Sequence, residues 1–219
     1  MKTLPLFCIS LVLGAGLSTA PVHAQGAFGW TPPQAVPPQA LAADPIAPES
    51  RQNIRAPHGD TFGSGFFCPI QVDIRKLRCA KVEANLQCTV TFAERHVSSE
   101  VGGDNVVVGY IDFDTDQNPA TGTEANTDFY EPPGAATGLG MDYFVEFFAV
   151  SGGQANVFDA QFNFVGTAPV KIQDQHLKVS IPLSELGDPA GGIDFATVLG
   201  SECEPTDIAP NQGHGTAKE

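Results

Sequence analysis

The chain has 219 residues, with 25 acidic against 11 basic side chains and a formal net charge of −14. That balance excludes nucleic acid and anionic membrane as partners, because phosphates need positive charge opposite them. It leaves cations, basic surfaces or plain solubility as uses for the charge.

Residues 1–24 read as a secretory signal peptide. Lys2 gives the early positive charge, Leu4 to Leu17 is an apolar run too short to span a bilayer, and Val22-His23-Ala24 precedes a cleavage point at Gln25. The mature protein is therefore expected in the periplasm or outside the cell, without membrane insertion. It would keep 195 residues, with 10 basic and 25 acidic side chains, a net charge of −15. Four cysteines would remain, Cys68, Cys79, Cys88 and Cys203, an even number that in an exported chain points to two disulfides.

Residues 25–60 form a linker-like arm. Pro32-Pro33, Pro37-Pro38, Pro45, Pro48 and Pro57 sit among Ala and Gln, with the only tryptophan, Trp30. Repeated prolines favour an extended, unpacked chain. From Thr61 the composition turns to Phe, Val and Ile, and residues 61–219 fit a single domain with one core.

The apolar periodicity there belongs to strands. Leu86-Gln-Cys88-Thr-Val90-Thr-Phe92 alternates for seven residues, and Leu77-Arg-Cys79-Ala-Lys-Val82 supplies the other arm of a hairpin. A turn centred at Glu83-Ala84 sets Cys79 opposite Cys88, within disulfide reach. That pairing leaves Cys68–Cys203 to join the domain's start to its end, worth ~4–5 kcal/mol in the chain-entropy treatment. Further strands are expected at residues 105–114, 141–150, 156–159, 162–165, 170–172, 176–181 and 195–199, the last of the series, with one helical turn at Leu183-Ser-Glu-Leu186. No long window carries a 3.6-residue apolar stripe. The fold class is thus all-β, an antiparallel β-sandwich of jelly-roll type with about eight or nine strands.

Residues 112–142 concentrate the chemistry. Asp112, Asp114 and Asp116 alternate, so all three face one side while the strand persists. Asn118, Thr121-Gly122 and Glu124 follow, and Asp142 returns at the next strong strand. From His96 to Val170 there are eleven acids and no Lys or Arg, so no neighbouring base neutralises the loop. Oxygen donors at this density suit Ca²⁺, which takes six to eight of them. The candidate ligands are Asp114, Asp116, Asp142, Asn118, Glu124 and Asp112. An EF-hand is excluded, because Gln117 stands where that loop needs glycine and Thr123 where it needs glutamate.

The run Tyr110-Ile-Asp112-Phe-Asp114-Thr-Asp116-Gln-Asn118-Pro-Ala-Thr121-Gly122, followed by Gly140-Met-Asp142-Tyr143, resembles exported bacterial domains of the DOMON and family-9 carbohydrate-binding type. The resemblance covers about a fifth of the domain. It implies a β-sandwich and Asp114, Asp116 and Asp142 as calcium ligands. It does not carry over the tryptophan clamp of the carbohydrate binders, since the domain has no tryptophan and its one loop tyrosine is Tyr130.

No nucleophile elbow, zinc-protease motif or phosphate loop occurs, and His58, His96, His176 and His214 are scattered. The expectation is a calcium-stabilised exported module with a structural role, or one that binds a glycan or protein. A metal-dependent secreted hydrolase of glycans or esters and a carbohydrate-binding module are the alternatives.

Overall fold

The computed structural model describes residues 53–62, 71–130, 136–202 and 204–218. The expected signal peptide, residues 25–52 of the arm with Trp30, and the expected Cys68–Cys203 pairing lie outside these residues. The described chain is almost wholly antiparallel β-structure, as its alternating apolar pattern predicts.

Eleven strands form one nearly closed sheet: β1 (Asn53–Arg55), β2 (Ile74–Val82), β3 (Asn85–Phe92), β4 (Val108–Asp114), β5 (Tyr143–Ser151), β6 (Gln154–Asp159), β7 (Phe164–Gln173), β8 (His176–Pro182), β9 (Ile193–Gly200), β10 (Pro205–Ala209) and β11 (Gly215–Ala217). Neighbours run β1-β2-β3-β8-β7-β6-β5-β4-β9-β10, with β11 also on β9. Strands β4 to β8 are a meander that ends beside β3, and β9 then returns to flank β4. β7 serves both layers. Its first half pairs β6, and from Val170 its second half pairs β8. One core lies between the layers, with Leu77, Leu86, Val90, Ile111, Phe113, Phe147, Val157, Ile181 and Phe195 among its members.

The hairpin β2–β3 follows the sequence closely. Val82 pairs Asn85 across Glu83-Ala84, Cys79 pairs Cys88, and these two form a buried disulfide. Leu86, Cys88, Val90 and Phe92 all point inward. A register shift between Ile74 and Lys76 puts Ile74 and Leu77 on the same inner face, three residues apart. The turn at Leu183–Leu186 is a 3-10 helix, ended by Gly187 at φ 74°.

Three corrections concern number and extent. Eleven strands replace eight or nine, because residues 162–165 and 170–172 contribute to one long β7 while β1, β10 and β11 are too short to show a period. β9 is not the last strand: Pro205–Ala209 and Gly215–Ala217 both pair with it, which buries all of Ile193–Gly200. The folded unit also begins before residue 61, since Asn53–Arg55 pairs β2 and Ile54 is buried.

Candidate metal centre

β4 is buried on both faces. Its odd-numbered residues Ile111 and Phe113 enter the main core, so Tyr110, Asp112 and Asp114 take the outer face, as the alternation requires. That outer face is roofed by residues 123–130 and 136–141. Ala125, Leu139 and Met141 pack on Phe144 and Ala196 there in a second small core, and the roof includes the one-turn helix α1 (Asn126–Phe129).

The roof separates the aspartates. Asp112 is completely buried, and Oδ2 accepts from Thr127 N (2.7 Å) and Thr127 Oγ1 (2.6 Å) while Oδ1 accepts from Asn126 Nδ2 (2.8 Å). Burial pushes its carboxyl up to about 6 against the pull of these donors. Asp112 therefore anchors α1 and stands apart from the other carboxylates. Asp114, Asp116 and Asp142 do converge: one oxygen from each lies within 4.8 Å of the others.

The geometry of that trio comes from backbone packing. Thr123 and Met141 exchange N–H···O bonds at 2.9 Å, which locks the 115–122 loop to the approach of β5. Cβ atoms have no room here. One on Gly140 would stand 2.2 Å from Thr121 O, and one on Gly122 (φ +70°) would stand 2.3 Å from Met141 O. Donors then orient each carboxylate. Gly140 N and Asn118 N donate to the two oxygens of Asp114 (both 3.2 Å), Asn118 N and Thr121 Oγ1 to Asp116, and Thr115 N and Oγ1 to Asp142 Oδ2 (both 2.9 Å). Burial raises the Asp114 carboxyl above its ordinary value, opposed by the Gly140 and Asn118 N–H groups and reinforced by the charge of Asp142.

Among the described residues, no Lys, Arg or His forms an ion pair with any of the three. Three acidic groups held together without a base, presenting oxygen alone, fit a hard divalent cation. Asn118 shapes the loop through its N–H and caps Ala120 N with Oδ1. Glu124 is exposed and is not among the carboxylates brought together. Thr115, which orients Asp142, was not singled out from the sequence, and Thr121, expected only as part of the turn, also orients Asp116. Asp194, opposite Asp114 in β9, was missed too. Gln117 Nε2 and Thr216 Oγ1 donate to it, and His214 Nε2 lies 3.3 Å away.

Next to this centre lies a cluster of aromatic rings in mutual contact, stacked in the pair Phe144–Phe158 and edge-on or tilted in the others. Phe144 meets Phe158 and Phe162, Phe158 meets Phe164, and Tyr110 meets Phe144 and Phe148. Phe148, Phe162 and Phe164 remain exposed, as does Phe129, whose ring meets Tyr130. No helix among the described residues is long and apolar enough to cross a membrane. Compared with protein-family models and with curated proteins, the sequence finds no match.

Proposed function

We propose that this is an exported, calcium-binding β-sandwich module whose ion ties the end of β4 to the start of β5. Its role is structural or ligand-binding, and it has no catalysis of its own. The observation that carries the reading is the convergence of Asp114 at the end of β4 with Asp116 just after it and Asp142 just before β5, with no base paired to them among the described residues. The Cys79–Cys88 disulfide supports export, since such bonds persist in oxidising compartments. The resemblance to DOMON and family-9 carbohydrate-binding domains supports the same ion in the same loop.

Melting curves with calcium and with EDTA test it. An ion at 100 times its dissociation constant stabilises by ~2.7 kcal/mol, or roughly 5–10 °C of Tm for a domain of this size. EDTA should lower Tm by that order, and Asp116→Ala should remove much of the response. An EDTA-insensitive Tm, or a full response in Asp116→Ala, would sink the proposal.

A second reading, glycan or protein binding, is favoured by the exposed rings of Phe148, Phe162 and Phe164, which belong to one network of ring contacts. Retention on cellulose, xylan or chitin that Phe162→Ser and Phe148→Ser abolish would support the glycan form. Retention unchanged by both would remove this face from consideration. Turnover of a glycan or ester substrate that Asp114→Asn abolishes would instead favour the metal-dependent hydrolase.

A further inference from the structure

β10 does more than border β9. It also lies along the entry to β2, fastened there by bonds from side chains and loops. Thr206 Oγ1 accepts from Val72 N and donates to Val72 O (both 2.9 Å), Phe62 N donates to Thr206 O (2.8 Å), and Ile74 N donates to Asp207 Oδ2 (2.6 Å). These bonds gather Asp60, Asp73 and Asp207, and one oxygen from each lies within 4.8 Å of the others.

The oxygens of this trio are incompletely matched. Asp207, 1% exposed, accepts from Ile74 N and Ile208 N. Asp73, 8% exposed, accepts from His58 Nδ1 and Gly59 N through Oδ2, but its buried Oδ1 has no donor. Asp60 accepts from Asn211 Nδ2 through Oδ2, and its Oδ1 is likewise buried without a donor. Among the described residues no Lys or Arg pairs with any of the three, and only the exposed His58 reaches Asp73. Residues 63–70, which link Asp60 to this strand, include no basic side chain.

A buried charged oxygen left without a partner costs more than a neutral one. Burial does push the Asp207 carboxyl up to about 7, opposed by the Ile74 N–H and reinforced by the charges of Asp60 and Asp73. One proton there removes one charge and satisfies at most one of the two orphan oxygens. A cation between the carboxylates answers both.

We propose that Asp60, Asp73 and Asp207 form a second divalent-cation site, all-oxygen and suited to Ca²⁺, separate from the Asp114–Asp116–Asp142 centre. The two cannot share an ion. Asp207 pairs Leu199, which faces Gly109, whereas Asp114 faces Asp194. Five residues of β4 thus separate them, about 16 Å at strand rise.

The test is calcium stoichiometry, by calorimetric titration of the chelator-treated full chain, with far-UV circular dichroism to verify folding. The natural chain should bind two ions. Asp116→Ala/Asp142→Asn, which disables the first centre, should still bind one, and Asp60→Asn in the natural background should also bind one. No ion in the first variant, or two in the second, overturns the second site. One ion in the natural chain that Asp60→Asn abolishes and Asp116→Ala/Asp142→Asn keeps would uphold the second site and defeat the first.

Discussion

Gly140→Ala is the sharpest test of how the first centre is built. The added methyl would stand 2.2 Å from Thr121 O and 2.6 Å from Asn118 O, and both atoms are backbone. No rotamer relieves that contact, so the turn carrying Asp116 must retreat by about 1 Å to restore an ordinary separation. Calcium–oxygen bonds span only about 2.3–2.6 Å, so such a retreat removes Asp116 from any ion that Asp142 still holds. It also strains the Gly140 N–H bond to Asp114 and the Thr123–Met141 exchange. Overpacking of this kind costs ~1–3 kcal/mol, so with about 2 kcal/mol lost Tm in EDTA should fall by roughly 4–8 °C. Calcium affinity at this centre should fall at least ~10-fold, equivalent to 1.4 kcal/mol. Paired melting curves and a calcium titration read both effects. A Gly140→Ala protein with the natural Tm in EDTA and undiminished calcium affinity would refute the close-packed loop as the source of the geometry.

Thr127→Val keeps the shape but removes a hydroxyl that donates to a buried carboxylate, and should cost about 1.5–3 kcal/mol in denaturant unfolding. Because Asp112 stands apart from the trio, the calcium response should survive; its loss would return Asp112 to the ligand set. His96 is buried against the edge of Phe92, with Nδ1 on Asn105 O and Nε2 unpartnered. Burial lowers its pKa from 6.5, opposed by the Asn105 carbonyl and the charge of Glu94. The unfolded chain therefore takes the proton more readily, and this contribution to stability is present above pH 6.5 and lost as pH falls below it. His96→Phe should flatten the stability profile between pH 5 and 7, by at most ~1.4 kcal/mol per pH unit; an unchanged slope would show that His96 is not the group responsible. Replacing Cys79 and Cys88 together by alanine opens a short loop and should cost ~2–3 kcal/mol, with a Tm loss of roughly 5–10 °C. A loss under 1 °C would mean the hairpin register holds without the bond.

What the sequence revealed was whatever depends on neighbours along the chain. The Cys79–Cys88 register follows from a two-residue turn and strict alternation, both local. Asp114, Asp116 and Asp142 were readable because one strand end and one strand start hold them. Asp112 misled for the same local reason. Alternation puts it on the right face, but only the fold reveals that Asn126 and Thr127 cover it. Strands β1, β10 and β11 span five residues or fewer, too few to show a period. Asp207 lies far along the chain from Asp60 and Asp73, so nothing short of the tertiary structure marks the three as neighbours.

The two-sided role of β7 has a mechanical consequence. It acts as the spine of a book: the layers are joined there by continuous backbone pairing, Gln154 with Pro169 on one side and Val170 with Val179 on the other. The facing edges close differently. Thr206 and Asp207 reach Val72 and Ile74, Lys81 N meets Lys218 O, and Lys81 Nζ reaches Pro189 O and Gly191 O. A seam made of single bonds opens before a ladder does, so the amides of Val72, Ile74 and Lys81 should exchange ahead of those in β3 and β8. Such a fold gives way at its clasp while its spine holds.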